Sequence, residues 1–129
     1  MLFDPELFDP PLFETEGAVT IAPDPIFTVT RTDAGTPFTF TAPIKDPDSI
    51  ELHGMDWSGW LQEGDTITAR EVFADIEGVT IDQVADAGGI VSWRIQGGEV
   101  GQDYIITCRI TSSSGLLDDR SVRVPVRPR

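Results

Sequence analysis

The sequence predicts an all-β protein, an immunoglobulin-like β-sandwich preceded by an extended N-terminal arm. Ten prolines and twelve glycines argue against long helices. Apolar residues alternate along several short segments that are separated by turn residues, which is the pattern of a sandwich. A chain of 129 residues holds one sandwich and an extension. We therefore divide it into an arm, residues 1–17, and a sandwich, residues 18–129.

The arm is marked by a Leu-Phe pair that returns every five residues. Helices and strands lack this period, and the prolines at positions 5, 10 and 11 favour extended or turn conformations. Large apolar side chains without a core of their own gain about 1.5–3 kcal/mol each from burial. We predict that they insert into a partner or a neighbouring copy, the alternative being a tail that straps its own domain. The proposed anchors are Leu2, Phe3, Leu7, Phe8, Leu12 and Phe13.

Residues 18–42 alternate with the period of a strand. Phe27 and Val29 lie in one run, Phe38 and Phe40 lie in the next, and a turn at Asp33-Ala34-Gly35 separates them. The pattern predicts a hairpin with one packed face and one wet face. It leaves open whether this hairpin belongs to the sandwich or pairs with another chain.

Four further strands are predicted near residues 55–61, 66–73, 79–82 and 89–95, with turns rich in glycine and aspartate between them. Trp57 and Trp93 are expected as large core side chains. Trp60 is expected to be exposed, where its indole offers a possible glycan or interface contact.

Residues 104–129 are expected to close the sandwich as a hairpin. Tyr104 and Cys108 fall on the inward face of its first strand. Tyr104 also resembles the tyrosine that bonds back to upstream backbone in sandwich folds, and we assign it a structural role. Pro125 cannot donate to a ladder, which predicts that the last strand lies at a sheet edge.

The net charge of −13 disfavours binding to nucleic acid or to an anionic membrane surface. Five of the nine basic residues lie in the closing hairpin, where we expect ion pairs between neighbouring strands. We interpret the arginines as protection of a solvated edge strand from aggregation. The alternative is an electrostatic contact between copies, from the acidic arm of one to the basic hairpin of the next. The five are Arg109, Arg120, Arg123, Arg127 and Arg129.

Residues able to carry catalysis are few. His53 is the only histidine and is expected at the surface, so triads and histidine metal sites have little support. The single cysteine suits a reducing cytoplasm and a place in the core. Neither Asp46-Pro47-Asp48 nor Asp118-Asp119 has the spacing of a calcium loop. We expect no enzyme activity, no metal and no cofactor, and a soluble chain without a secretory signal.

A set of short motifs resembles a family of small immunoglobulin-like structural proteins of tailed bacteriophages and prophages. The motifs are Lys45-Asp46-Pro47-Asp48, Asp56-Trp57-Ser58-Gly59-Trp60-Leu61, Gly64-Asp65-Thr66-Ile67, Gly97-Gly98, Gly101-x-x-Tyr104, Arg109-Ile110-Thr111 and Gly115-x-x-Asp118-Asp119-Arg120-Ser121. The resemblance spans residues 44–129 and leaves out the arm.

The resemblance implies a non-enzymatic virion component that is made in the host cytoplasm and contacts capsid, neck or tail proteins. We expect it to dock through its arm at the capsid or the head-tail junction, as a decoration, neck or connector protein, and to form a homo-oligomer. The alternative is a tail or baseplate module that binds host surface glycans.

Overall fold

A computed structural model describes residues 22–31 and 38–129, and these residues form eight β-strands. Within these residues no helix is long and apolar enough to cross a membrane. The strands are β1 (Ile26–Thr28), β2 (Thr39–Thr41), β3 (Ile50–Asp56), β4 (Ile67–Ala74), β5 (Val79–Ala87), β6 (Ile90–Gly97), β7 (Asp103–Ser112) and β8 (Leu117–Pro125).

The strands form two four-stranded sheets. Sheet A has the order β1-β3-β6-β5, and sheet B has the order β2-β8-β7-β4. Two packed sheets of mainly antiparallel strands confirm the predicted immunoglobulin-like β-sandwich. The core lies between the sheets and is filled by alternate residues of each strand. In β6 these are Val91, Trp93 and Ile95, and in β7 they are Tyr104, Ile106, Cys108 and Ile110.

The prediction that residues 18–42 form a hairpin is wrong, because β1 and β2 lie in different sheets. β1 pairs in parallel with β3, and β2 pairs in parallel with β8. Phe27 and Phe40 still meet in the core, with ring centroids 5.5 Å apart. Alternation of apolar residues determines which face of a strand is buried, whereas the choice of partner strand depends on the open edges that each sheet offers.

The predicted edge position of the last strand is also wrong. β8 lies between β2 and β7 in sheet B. Pro125 stands at the end of the strand, opposite Asp103, and its carbonyl accepts a hydrogen bond of 2.9 Å from the Lys45 N–H. A proline is tolerated here because the pairing needs only its carbonyl oxygen at this position.

Tyr104 ties the start of β7 to the loop before it. Its hydroxyl accepts a hydrogen bond of 3.0 Å from the backbone N–H of Glu99. Gly78 has a φ of 130°, and a Cβ added there would collide with the same hydroxyl. The buried phenol therefore has a hydrogen-bond partner, as a polar atom in the core requires.

Candidate interaction surface

The chain enters the sandwich at the β1 edge of sheet A, beside the outer face of that sheet, which we call the A face. The N–H of Asp24 donates to the Leu52 carbonyl at 3.0 Å, and the N–H of Gly54 donates to the Pro25 carbonyl at the same distance. The Pro23 ring lies on Gly54, where an added Cβ would stand 2.7 Å from the proline Cγ. Residues 1–21 therefore connect to the domain at the A face.

An apolar groove of 360 Å³ lies between this entering segment and β5. It is lined by Ala22, Pro23, Ala85, Asp86, Ala87, Ile90 and Ser92. Small side chains on β5 leave the space open, and the one acid in the lining, Asp86, is paired with Arg70 at 3.0 Å. The groove can thus receive apolar side chains without placing them against an unpaired carboxylate.

A β-bulge in β5 produces this lining. Asp82 pairs with Arg94 and Ala85 pairs with Ser92, so two residues of β5 oppose one residue of β6. Gln83 within the bulge has a φ of 56°. The extra residue reverses the alternation, which packs Val84 against the core and turns Ala85 and Ala87 outward.

A second, more polar groove of 450 Å³ lies beside Ala22 and Asp24 and is lined further by Ile50, Glu51, Leu52 and Arg94. Ile50 is 59% exposed. The Arg94 guanidinium donates two hydrogen bonds of 2.8 Å to the Asp82 carboxylate, and these bonds lower the pKa of the Asp82 carboxyl. Arg94 and Glu51 of this lining thus have charged partners within the chain.

The outer face of sheet B, which we call the B face, carries mainly ion pairs and hydroxyls. Arg109 lies between Asp119 at 3.3 Å and Glu71 at 3.7 Å, and its guanidinium covers the Phe73 ring at 5.4 Å. The Thr107 and Ser121 hydroxyls are hydrogen-bonded at 2.9 Å. These contacts between neighbouring strands confirm the expected ion pairing of the closing hairpin.

Four of the five arginines of that hairpin pair with carboxylates among the described residues. Besides Arg109, Arg120 pairs with Asp118, Arg127 with Asp103 and Arg129 with Glu51. The basic side chains therefore balance acids of the same domain, which leaves little free positive charge for another partner.

Below the two faces, Lys45 is completely buried. Its ammonium donates to three carbonyls, those of Asp46 at 3.0 Å, Ser49 at 2.7 Å and Gly97 at 2.8 Å. Burial lowers its pKa. Because its own backbone pairs with β8 while its side chain reaches the ends of β3 and β6, Lys45 ties sheet A to sheet B.

His53 lies inside the sandwich, and the expectation that it sits at the surface is wrong. It is 1% exposed, and its imidazole Nε2 stands 3.0 Å from a Glu51 carboxylate oxygen. Burial lowers the pKa of His53, against the raising effect of that hydrogen bond. Burial alone would raise the pKa of Glu51, but hydrogen bonds from His53 and Ser49 lower it overall.

Trp57, Trp93 and Tyr104 are all buried in the core. Trp60 is 4% exposed, so the expectation of an exposed indole is wrong. After β3 the chain folds back, with the Trp60 N–H donating to the Trp57 carbonyl at 2.9 Å, and the two indole rings meet at 5.5 Å. Arg31 covers the remaining face at 4.9 Å, which leaves no open ring for a glycan to stack on.

The other polar residues named from the sequence have partners within the domain. Asp46 accepts from the N–H groups of Asp48 and Arg129, which lowers its pKa. Burial raises the pKa of the Cys108 thiol to about 11, as suits a core residue. No cluster of metal-ligating side chains occurs within residues 22–31 and 38–129. The six arm anchors, Leu2 to Phe13, lie outside the described residues.

Sequence reasoning did not identify the A-face groove or the role of Lys45. The sequence contained only weak indications of both features. Lys45 is the first residue of one of the motifs, and Gly54, Ala85 and Ala87 are small residues in strands. Only the strand register shows that Gly54 and Ala85 both pair with Ser92 of β6, one on each side of it.

Comparison with known proteins gives one family. The model of the podophage GP4 fiber-tail adaptor protein gp77 matches residues 45–125, which is more than half of the chain. A comparison with curated proteins found no match.

Two solved structures are similar at low identity. The cysteine protease inhibitor EhICP2 from Entamoeba histolytica is 12% identical, with a TM-score of 0.46, 79% of this chain covered and 95% of that chain. The PKD domain from KIAA 1837 protein is 20% identical, with a TM-score of 0.44, 75% of this chain covered and 85% of that chain. The family match alone therefore assigns this protein, which belongs to the podophage GP4 fiber-tail adaptor protein gp77 family of tailed-phage structural proteins.

Proposed function

We propose that this protein is a non-enzymatic adaptor in a tailed-phage virion and that it joins a fibre to the tail. The family match carries the proposal, because the description of the family names a fiber-tail adaptor. The matched residues, 45–125, contain strands from both sheets and most of the core. This description favours the tail over the capsid or the head-tail junction as the place of the protein in the particle.

In this proposal the arm is the element that docks on a second virion protein. Its first 17 residues carry three Leu-Phe pairs, five acids and no basic residue. An apolar binding site with a basic rim would match that composition. The arm lies outside the family match, so it would supply a contact specific to this chain.

We also propose that several copies act together. Tails and their attached proteins are built by symmetry, so one contact per chain is repeated around the particle. Repetition raises the overall strength of attachment without any new contact. An arm of modest affinity would then suffice to hold the adaptor.

The test is a full-length F3A/F8A variant expressed during infection in place of the wild-type chain. We expect its copy number in purified particles, measured by quantitative mass spectrometry, to fall at least tenfold, with fibres lost in parallel. Leu117→Ala is the matched control, because Leu117 is 61% exposed on the B face and its loss should leave incorporation unchanged. Wild-type copy number for a folded F3A/F8A variant would overturn the docking role of the arm.

A further inference from the structure

We propose that the apolar groove of the A face is the docking site for Leu12 and Phe13 of the same chain. The proposal rests on the adaptor function above and refines it. One Leu-Phe pair would hold the arm to its own domain, and the pairs at residues 2–3 and 7–8 would remain for the virion partner.

The groove has the chemistry that an apolar pair requires. Pro23, Ala85, Ala87 and Ile90 form most of its lining. The carboxylate of Asp86 is held by Arg70 at the edge of the sandwich. A leucine and a phenylalanine side chain would therefore be buried against carbon atoms, with the acids of the arm left at the rim.

The end of the described chain supports this choice of occupant. Ala22 is itself a lining residue, and residues 1–21 precede it in the chain. Eight residues lie between Phe13 and Ala22, and the nine steps from one to the other span up to about 30 Å. Crossing from β3 to β5 takes only about 10 Å, two strand spacings.

The sequence between the pair and the domain favours a return to the groove. Gly17 lies near the middle of this segment and allows the chain to reverse at no steric cost. A short tether also gives a high effective concentration at the groove, in the millimolar range for flexible linkers. The pair nearest to the domain therefore binds there in preference to the two pairs farther along the arm.

Methyl-detected NMR of the full chain tests the proposal, using an L12A/F13A variant and the matched control L2A/F3A. We expect L12A/F13A to shift the methyl resonances of Ala85 and Ala87 and to lower the melting temperature by about 4 °C or more. The control L2A/F3A should change neither the Ala85 and Ala87 methyl resonances nor the melting temperature. Unchanged methyl resonances in L12A/F13A, or equal shifts in both variants, would overturn the proposal.

Two further measurements distinguish docking within one chain from docking between two copies and from the adaptor function. Ala87→Glu, which places a charge in the groove, should lower the melting temperature of the wild-type chain but not that of L12A/F13A. If dilution of the wild-type chain reproduced the L12A/F13A spectrum, the occupant would be the arm of a second copy, and the same-chain assignment would be wrong. Particle incorporation is a separate readout, so the adaptor function can fail while the groove signals persist, and the reverse.

Discussion

The A face and the B face belong to the same sandwich, but they use their outward positions differently. On the B face, Arg109 is held by Asp119 and Glu71, and the hydroxyls of Thr107 and Ser121 bind each other. On the A face, small and apolar side chains line one open groove, a more polar groove lies beside it, and the Pro23 ring lies on Gly54.

The two faces differ in the side chains that line their open grooves. The B face also has a groove, of 420 Å³ beside the exposed Leu117, but Arg70, Glu71 and Arg109 in its lining are ion-paired. The apolar groove on the A face gains free energy when another apolar group covers it. The two faces share one core, so a substitution in the residue that joins the sheets should affect both faces, and one on a single face should affect less.

Lys45→Met should affect both faces together and should have the largest effect. The substitution removes the ammonium donor from three part-buried carbonyls. The Asp46 carbonyl keeps the N–H and the hydroxyl of Ser49, but the other two lose this donor, and each unsatisfied group costs about 1–3 kcal/mol. We expect the free energy of unfolding to fall by about 3 kcal/mol or more, measured by denaturant titration. Arg70→Met, which removes a charge from a half-exposed side chain, is the control. Equal losses in the two variants would contradict the role of Lys45 in joining the sheets.

Gly54→Ala should act on the A face alone. The added Cβ would stand 2.7 Å from Cγ and 3.0 Å from Cβ of Pro23, so the entering segment must move. We expect a loss of about 1–3 kcal/mol, the usual cost of overpacking. Pro23→Ala in the same chain should restore part of this loss, which a double-mutant cycle measures. Additive effects would show that the ring and the glycine are not in contact.

Acid should weaken the support of the A face through His53, a residue of β3 whose side chain is buried in the sandwich. Burial lowers the pKa of His53 in the folded chain, so the unfolded chain binds the proton first, near its ordinary pKa of about 6.5. The free energy of unfolding should therefore fall as the pH drops below about 6.5. The lowered pKa values of Glu51, Asp46 and Asp82 act only at more acidic pH, since their stabilising effect is lost below the ordinary carboxyl range.

His53→Gln isolates the contribution of the imidazole. The variant should show a flatter dependence of unfolding free energy on pH between 7 and about 5, the range in which the histidine titrates first. Denaturant titrations at a series of pH values provide the measurement. The same slope in wild type and variant would assign the acid sensitivity to other groups.

Arg109→Ala should have the smallest effect, because it changes only the B face. Arg109 is 42% exposed and Asp119 is 44% exposed, so solvent screens their attraction. We expect the free energy of unfolding to fall by less than about 1 kcal/mol, and by less still at 1 M salt. Thermal unfolding at low and high salt checks this. A larger loss that does not depend on salt would mean that the packing of Arg109 on Phe73 matters more than its charge.

Particular residues show how far the sequence could be interpreted. The alternation of Tyr104, Ile106, Cys108 and Ile110 predicted the inward face of β7, and all four are buried. The motifs from Lys45 onward led to the tailed-phage structural proteins, and the family match confirms that broad assignment. The predicted exposure of Trp60 and His53 was wrong. The burial of Trp60 depends on a turn, and that of His53 depends on the pairing of strands that are distant in the sequence.

What the sequence determined by itself was the period of its apolar residues, its turns and its charge, because these are local or additive properties. These properties predict an all-β sandwich whose closing hairpin contains ion-paired arginines. Tertiary structure decided which strands became neighbours, as β1 and β2 show by joining different sheets. It also decided the A-face groove, since a bulge of one residue in β5 turns Ala85 and Ala87 outward beside Pro23 and Ile90. Such a groove depends on register between distant segments, and alternation along one strand carries no information about that register.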